Sequence, residues 1–280
     1  MARKKIGLYN EETINGSTHQ LIIEIADEAF VCMAKSDLTG EIDAFELFSL
    51  DKSEQDDWND IFYEIKTGSS IFNNGYKKVT CYFNTEEAIM IPEKLLTATS
   101  AEDYLNLIFG ESVRHEVKYE KLIATKVFIN AYRVRKAITE LLGRQFIIFQ
   151  TAHTYSNLLN DMMRRPFIDQ QFIKLQFYSH HFILAVWKEE RFQLIQSYRY
   201  HSPEDVLYYL LRIVQQYQFE MSDVALEISG MVELEIGLFL QLSTLFPKIV
   251  LDNLQTTGIF KKAEIEYPLH YFTPFYKLSL

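Results

Sequence analysis

The sequence predicts an α/β protein of two domains, each a mixed sheet of order βββαβαβ flanked by helices. Residues 172–230 read as three successive strands (FIKLQF, HFILAVW, RFQLIQS), a helix (SPEDVLYYLLRIVQQY) and a fourth strand (VALEIS). The same order occurs once before, from residue 21, and a repeat of strand–strand–strand–helix–strand is a signal at the level of the fold. Size agrees: 280 residues, 48% of them hydrophobic, suffice for two separate cores. Pro166 is expected to mark the boundary between domains 1–166 and 167–280, the second carrying a C-terminal tail.

In the first half, residues 1–18 are polar and turn-prone at Asn15-Gly16-Ser17-Thr18, which suggests a loosely held lead-in. LIIEI (21–25) and AFVCMA (29–34), separated by Ala26-Asp27-Glu28, suit a hairpin, and 42–50 makes a third strand. A helix is expected from Ser53, with Asp56 completing a capping box. Trp58, Ile61, Phe62 and Ile65 give it one buried stripe. Strands follow at 77–83 and 88–91. Residues 92–130 look inserted, with two helical pieces at 92–110 leading into an extended pair over 114–134. A helix at 134–142, a strand at 145–150 (QFIIFQ) and a helix at 153–165 complete this half.

In the second half, Ile173, Leu175 and Phe177 alternate with Lys174 and Gln176, so the first strand has one polar face, whereas 182–187 is apolar throughout and reads as a central strand. Ser202, Pro203 and Asp205 open a helix as cap, first and third residues. Val206, Leu210, Ile213 and Tyr217 are its core stripe. A strand at 224–229 ends at Gly230, a helix spans 233–245, a strand follows at 247–251, and the aromatic tail 263–280 should pack. The halves overlay element by element: 21–25 on 173–177, 30–34 on 182–186, Ser53 and Asp56 on Ser202 and Asp205, and 79–83 on 224–228. An internal duplication is the expected origin.

Composition narrows function mainly by exclusion. A net charge of −10 opposes nucleic acid and anionic membrane. No run approaches the roughly 20 apolar residues of a membrane helix, and the basic N-terminus has no apolar stretch behind it, so a cytoplasmic protein is expected. Cys32 and Cys81 lie in apolar runs and read as buried thiols. His180-His181 could ligate a metal, but neighbours in a strand face opposite ways and one site rarely uses both, so the pair reads as a solvated turn. Arg133, Arg135, Lys136 and Arg144 could form an anion patch but read, given the acidic balance, as a solvated helix end. Glu233 and Glu235 read as complements of a helix dipole rather than an acid/base pair.

The segments SYRYHSPEDVLYYLL (197–211), LEISGMVE (226–233) and IMIPEKLL (89–96) resemble an uncharacterised bacterial family of the actin-like ATPase superfamily. That superfamily has the duplicated ribonuclease-H-like fold of actin, sugar kinases and bacterial division or pilus-assembly proteins. The resemblance implies two ribonuclease-H-like domains and two phosphate-binding hairpins, each with an Asp and glycines. Here Glu24 stands at the first Asp position and Ala26 at its Gly, with Asp27 and Glu28 adding negative charge. Gln176 stands at the second Asp position and Tyr178 near its Gly. No glycine occurs between Gly16 and Gly40 or between Gly143 and Gly230. Only Ser229-Gly230 keeps a trace of the adenosine loop. The expectation is a non-catalytic protein without cofactor or metal, acting as a scaffold for an unknown protein partner. The alternative is a divergent ATPase or small-molecule kinase that binds nucleotide through Glu24, Asp27, Ser229 and Gly230.

Overall fold

A computed structural model describes residues 1–10, 14–51, 57–96, 100–123, 127–165, 169–233, 237–254 and 258–280. The chain divides into two compact units. One comprises Met1–Asn160, Thr256–Glu266 and Lys277–Leu280; the other comprises Asp161–Gln255 and Tyr267–Tyr276.

The first unit contains strands β1 (Ala2–Tyr9), β2 (His19–Ala26), β3 (Ala29–Ser36), β4 (Ile42–Leu50), β5 (Val79–Asn84), β6 (Ala88–Pro92), β7 (His115–Ile123), β8 (Val127–Arg135) and β9 (Gln150–His153). Six of them form a sheet in the order β1-β4-β3-β2-β5-β9, in which β2, β5 and β9 run parallel. Residues 2–9 are therefore a strand and not the loose lead-in that their polarity suggests. Only Ile6 is buried on β1, so no apolar alternation announces it. The strand is held instead by Glu46 of β4, wholly buried, which accepts from Lys4 Nζ (2.8 Å), Tyr9 OH (2.5 Å) and the Ser70 N–H (2.9 Å).

Helix α1 (Trp58–Gly68) starts from Asp57, whose carboxylate accepts from the Asn59 N–H at 3.0 Å, and buries Trp58, Ile61, Phe62 and Ile65 as the stripe predicts. The expected capping pair Ser53 and Asp56 lies outside the described residues. Helix α2 (Ser100–Phe109) packs Ala101 and Leu105 onto Ile91 and Ala131 of a separate antiparallel sheet, β6-β8-β7. Helix α3 (Lys136–Gln145) precedes β9, and α4 (Thr154–Met163) follows it directly. The expected strand 145–150 is a correction. Phe146 caps α3 through Leu142 O, Ile147 and Ile148 face solvent, and pairing begins only at Gln150, against Thr80.

In the second unit, β10 (Gln171–Phe177), β11 (His181–Lys188), β12 (Arg191–Arg199), β13 (Ala225–Gly230) and β14 (Lys248–Leu251) are ordered β12-β11-β10-β13-β14. This is the order β4-β3-β2-β5-β9 of the first unit, with the same mixture of antiparallel and parallel pairs. One face packs Ile173, Leu175, Leu184 and Leu226 against Val206 and Leu210 of α5 (Pro203–Tyr217), whose Ser202–Asp205 capping box is formed. Helix α6 (Leu238–Leu245) starts later than residue 233, and Glu235 lies outside the described residues. The C-terminal stretch serves both units. Phe260 of α7 (Gly258–Lys262) sits edge-on to Phe45 at 5.7 Å in the first. Phe272 and Phe275, the latter on α8 (Thr273–Lys277), are buried in the second. No helix among the described residues is long and apolar enough to cross a membrane.

Candidate functional site

In open α/β sheets ligands sit beyond the carboxyl ends of the parallel strands. In the first unit those ends bring together Glu24, Asn84, His153 and Thr154. Glu24 is 2% exposed, and its carboxylate accepts from Thr154 Oγ1 (3.1 Å) and Asn84 Nδ2 (3.3 Å). It faces into the protein. Asp27, in the β2–β3 turn, is half exposed, with its carboxylate 4.0 Å from the Arg135 guanidinium.

His153 is fully buried. The Tyr155 N–H donates to its Nδ1 (3.1 Å), which leaves Nε2 as the protonated nitrogen, donating to Thr85 O at 3.2 Å. Burial pushes its pKa down to about 3, so the ring is neutral near pH 7. Behind it, Tyr132 OH donates to Glu120 at 2.7 Å and Asn130 Nδ2 to Ser156 Oγ at 3.0 Å. Burial raises the Glu120 carboxyl despite hydrogen bonds from Ser156, Tyr132 and the His153 N–H. Sequence reasoning missed Asn84, His153 and Thr154. The signal was available in a His-Thr pair that ends a strand and opens a helix.

In the second unit the β10–β11 turn is filled by Tyr178. The residue is 4% exposed, and Gln176 Nε2 donates to its hydroxyl at 2.7 Å. Its ring stacks on His181 (4.6 Å between centroids, 7° between planes) and meets the edge of Phe275 at 5.9 Å. Its N–H bonds His181 O (2.9 Å), and Tyr200 OH donates to its carbonyl (2.8 Å). His180 is exposed, but His181 lies under Tyr178, which corrects the reading of both as a solvated turn.

Ser229 lies opposite Gln176 and is fully buried, its Oγ without a hydrogen-bond partner among the described residues. Gly230 has φ +90°, and a Cβ there would stand 2.1 Å from Phe177 O. The close approach of β13 to the end of β10 therefore accounts for this glycine. Lys174, expected on a polar face, is buried instead. Its ammonium pairs with Glu227 (2.5 Å) and Asp252, and Arg165 forks onto Glu227 with two bonds of 2.7 Å. Burial opposes the Glu227 charge, but Lys174 and Arg165 together hold its carboxyl below the usual range. Glu24 and Asp27 thus belong to the first unit, Ser229 and Gly230 to the second.

Two solved structures are similar along most of the chain. A protein from Bacteroides thetaiotaomicron with an actin-like ATPase fold and unknown function matches with a TM-score of 0.73 at 16% identity, covering 84% of this chain and 91% of that one. A chain of the PilM-PilN type IV pilus biogenesis complex matches with a TM-score of 0.58 at 11% identity, covering 93% and 96%. At such identities the likeness establishes the fold alone, and that fold is the actin-like ATPase fold. No curated protein matches the sequence. Residues 10–249 match the family described as Protein of unknown function (DUF3822), and the chain belongs to that family.

Proposed function

We propose that this is a non-catalytic actin-like protein that acts by binding a protein partner, as a scaffold for assembly. The carrying observation is Tyr178. A hairpin that holds phosphate presents bare backbone amides to it, which requires small residues and free N–H groups. Here the turn is occupied by a buried phenol bonded to Gln176, and the Tyr178 N–H already bonds His181 O. Two further features support the reading. Glu24, at the other hairpin, is engaged by Thr154 and Asn84 inside the fold. Gly230 is explained by the approach of Phe177. A similar fold in the PilM-PilN complex lends support to a protein as partner. The free cysteines suit a cytoplasmic setting, and the charge of −10 disfavours nucleic acid.

The buried, unpartnered Ser229 hydroxyl favours the second reading, a divergent ATPase or small-molecule kinase using Glu24, Asp27, Ser229 and Gly230. Calorimetric titration of the full chain with Mg-ATP and Mg-ADP separates the two. The scaffold reading expects no saturable heat up to about 1 mM nucleotide. Saturable binding that Tyr178→Ala strengthens and Ser229→Ala weakens would establish the alternative instead.

A further inference from the structure

Of the sheet edges, β7 is the long one guarded by charge alone, through Glu116, Lys118, Glu120 and Lys121. β1 carries Arg3, Lys4 and Lys5 and a register break at Lys4/Ile6; β9 and β14 have four residues each; β6 has five and ends in Pro92. β12 has nine residues but ends in Arg191 and Arg199, and its pairing with β11 is shifted at Val186/Trp187. Short strands, charges, prolines and bulges are the usual guards of a sheet edge. β7 pairs with β8 over all nine of its residues without a shift, contains no proline, and is the outer strand of its sheet.

Its charges are self-complementary. Residues directly opposite in an antiparallel pair are both hydrogen-bonded or both not, so a two-fold pairing of β7 with itself must centre on a residue. Centring on Lys118 sets Lys against Lys, and centring on Glu120 sets Glu against Glu. Centring on Tyr119 uses the whole strand and sets each Lys118 opposite the other chain's Glu120. Centring on Val117 also pairs opposite charges (Lys118 with Glu116) but engages little more than half of the strand. Two details of the structure favour the Tyr119 centre. Glu120 makes no ion pair among the described residues, its carboxylate being answered only by hydrogen-bond donors such as Tyr132. Tyr119 is 68% exposed, so its ring is available to meet its own copy on the other face.

We propose that β7 is an interface for a second copy of this chain, which joins it antiparallel about a two-fold axis at Tyr119. The two three-stranded sheets become one six-stranded sheet, and Lys118, whose ammonium lies 3.0 Å from Glu116 of its own strand, is shared with Glu120 of the other copy as its counter-charge. The proposal uses no residue of either hairpin turn and stands whether or not the chain binds nucleotide.

Sedimentation of the full chain from about 1 μM to about 1 mM tests this. The average mass is expected to climb from 33.0 kDa toward twice that value. A constant 33.0 kDa, or growth beyond the dimer, overturns the proposal. Lys118→Glu places Glu opposite Glu120 twice and should weaken association about tenfold or more; unchanged association overturns the pairing. Tyr119→Cys, at an exposed position, keeps the test decisive should that variant fail to fold. The new thiols face each other across the axis, so mild oxidation should give a disulfide dimer of Tyr119→Cys and little of Val117→Cys or Lys121→Cys alone. Equal crosslinking of all three, or none at 119, overturns the register. The native Cys32 and Cys81 are buried and do not interfere.

Discussion

At Gly230 the backbone turns at φ +90° with the Phe177 carbonyl lying where a Cβ would be. Adding that atom combines a disfavoured backbone region with a clash against backbone, which cannot swing away. Gly230→Ala should therefore lower unfolding free energy by about 3 kcal/mol. Gly143, inside α3 with nothing within 4 Å of its virtual Cβ, is the control. Gly143→Ala should raise stability by about 0.5–1 kcal/mol. Urea unfolding of both variants checks the pair, and equal effects would refute the packing account of Gly230. The sequence at this scale shows which residue types are missing, such as glycine at Tyr178. It does not show what the replacements touch. The edge contact of Tyr178 with Phe275 and the burial of Lys174 between Glu227 and Asp252 involve partners distant in sequence.

Among the elements, those with a strong local pattern could be read directly. The Ser202–Asp205 box and the Trp58–Ile65 stripe encode their helices in neighbouring residues. β1 and β9 carry no such local pattern, because register with a partner, not apolar alternation, makes them strands. The β11–β12 hairpin offers a test of local chemistry. Its two-residue turn, Glu189-Glu190, has φ +52° and +60°, a left-handed pair that Asn-Gly adopts far more readily than glutamate. Replacing both by Asn-Gly should add about 1–2 kcal/mol. The loss of two exposed charges near Lys188 and Arg191 subtracts less than that, since surface pairs contribute about 0–1 kcal/mol. Calorimetric melting checks it: a midpoint that fails to rise would mean that the turn holds no strain worth relieving.

For the whole molecule, the doubled strand order was legible because each copy carries its own pattern. The contribution of the C-terminal residues to both units was not, since it depends on pairings such as Phe260 with Phe45. The same long-range burial creates a pH dependence that no local pattern shows. His153 sits near 3 in the fold against 6.5 when unfolded. Below pH 6.5 the unfolded chain takes up a proton that the folded chain refuses, so stability falls as pH falls, and above 6.5 this effect vanishes. The slope approaches about 1.4 kcal/mol per pH unit until the pH nears the folded value. Other groups titrate too. Glu120, raised by burial, works in the opposite direction over the acid range, and Glu227, held low, works in the same direction as His153 but below its ordinary 4.5. A difference measurement removes them. His153→Gln can keep one donor toward Thr85 and one acceptor toward Tyr155 without titrating. Whatever it costs at pH 7.5, the gap between wild type and variant should move in the variant's favour by about 1.2 kcal/mol from pH 6 to pH 5. A gap that stays constant over that range, in urea unfolding at each pH, would mean that His153 titrates in the fold as it does in water.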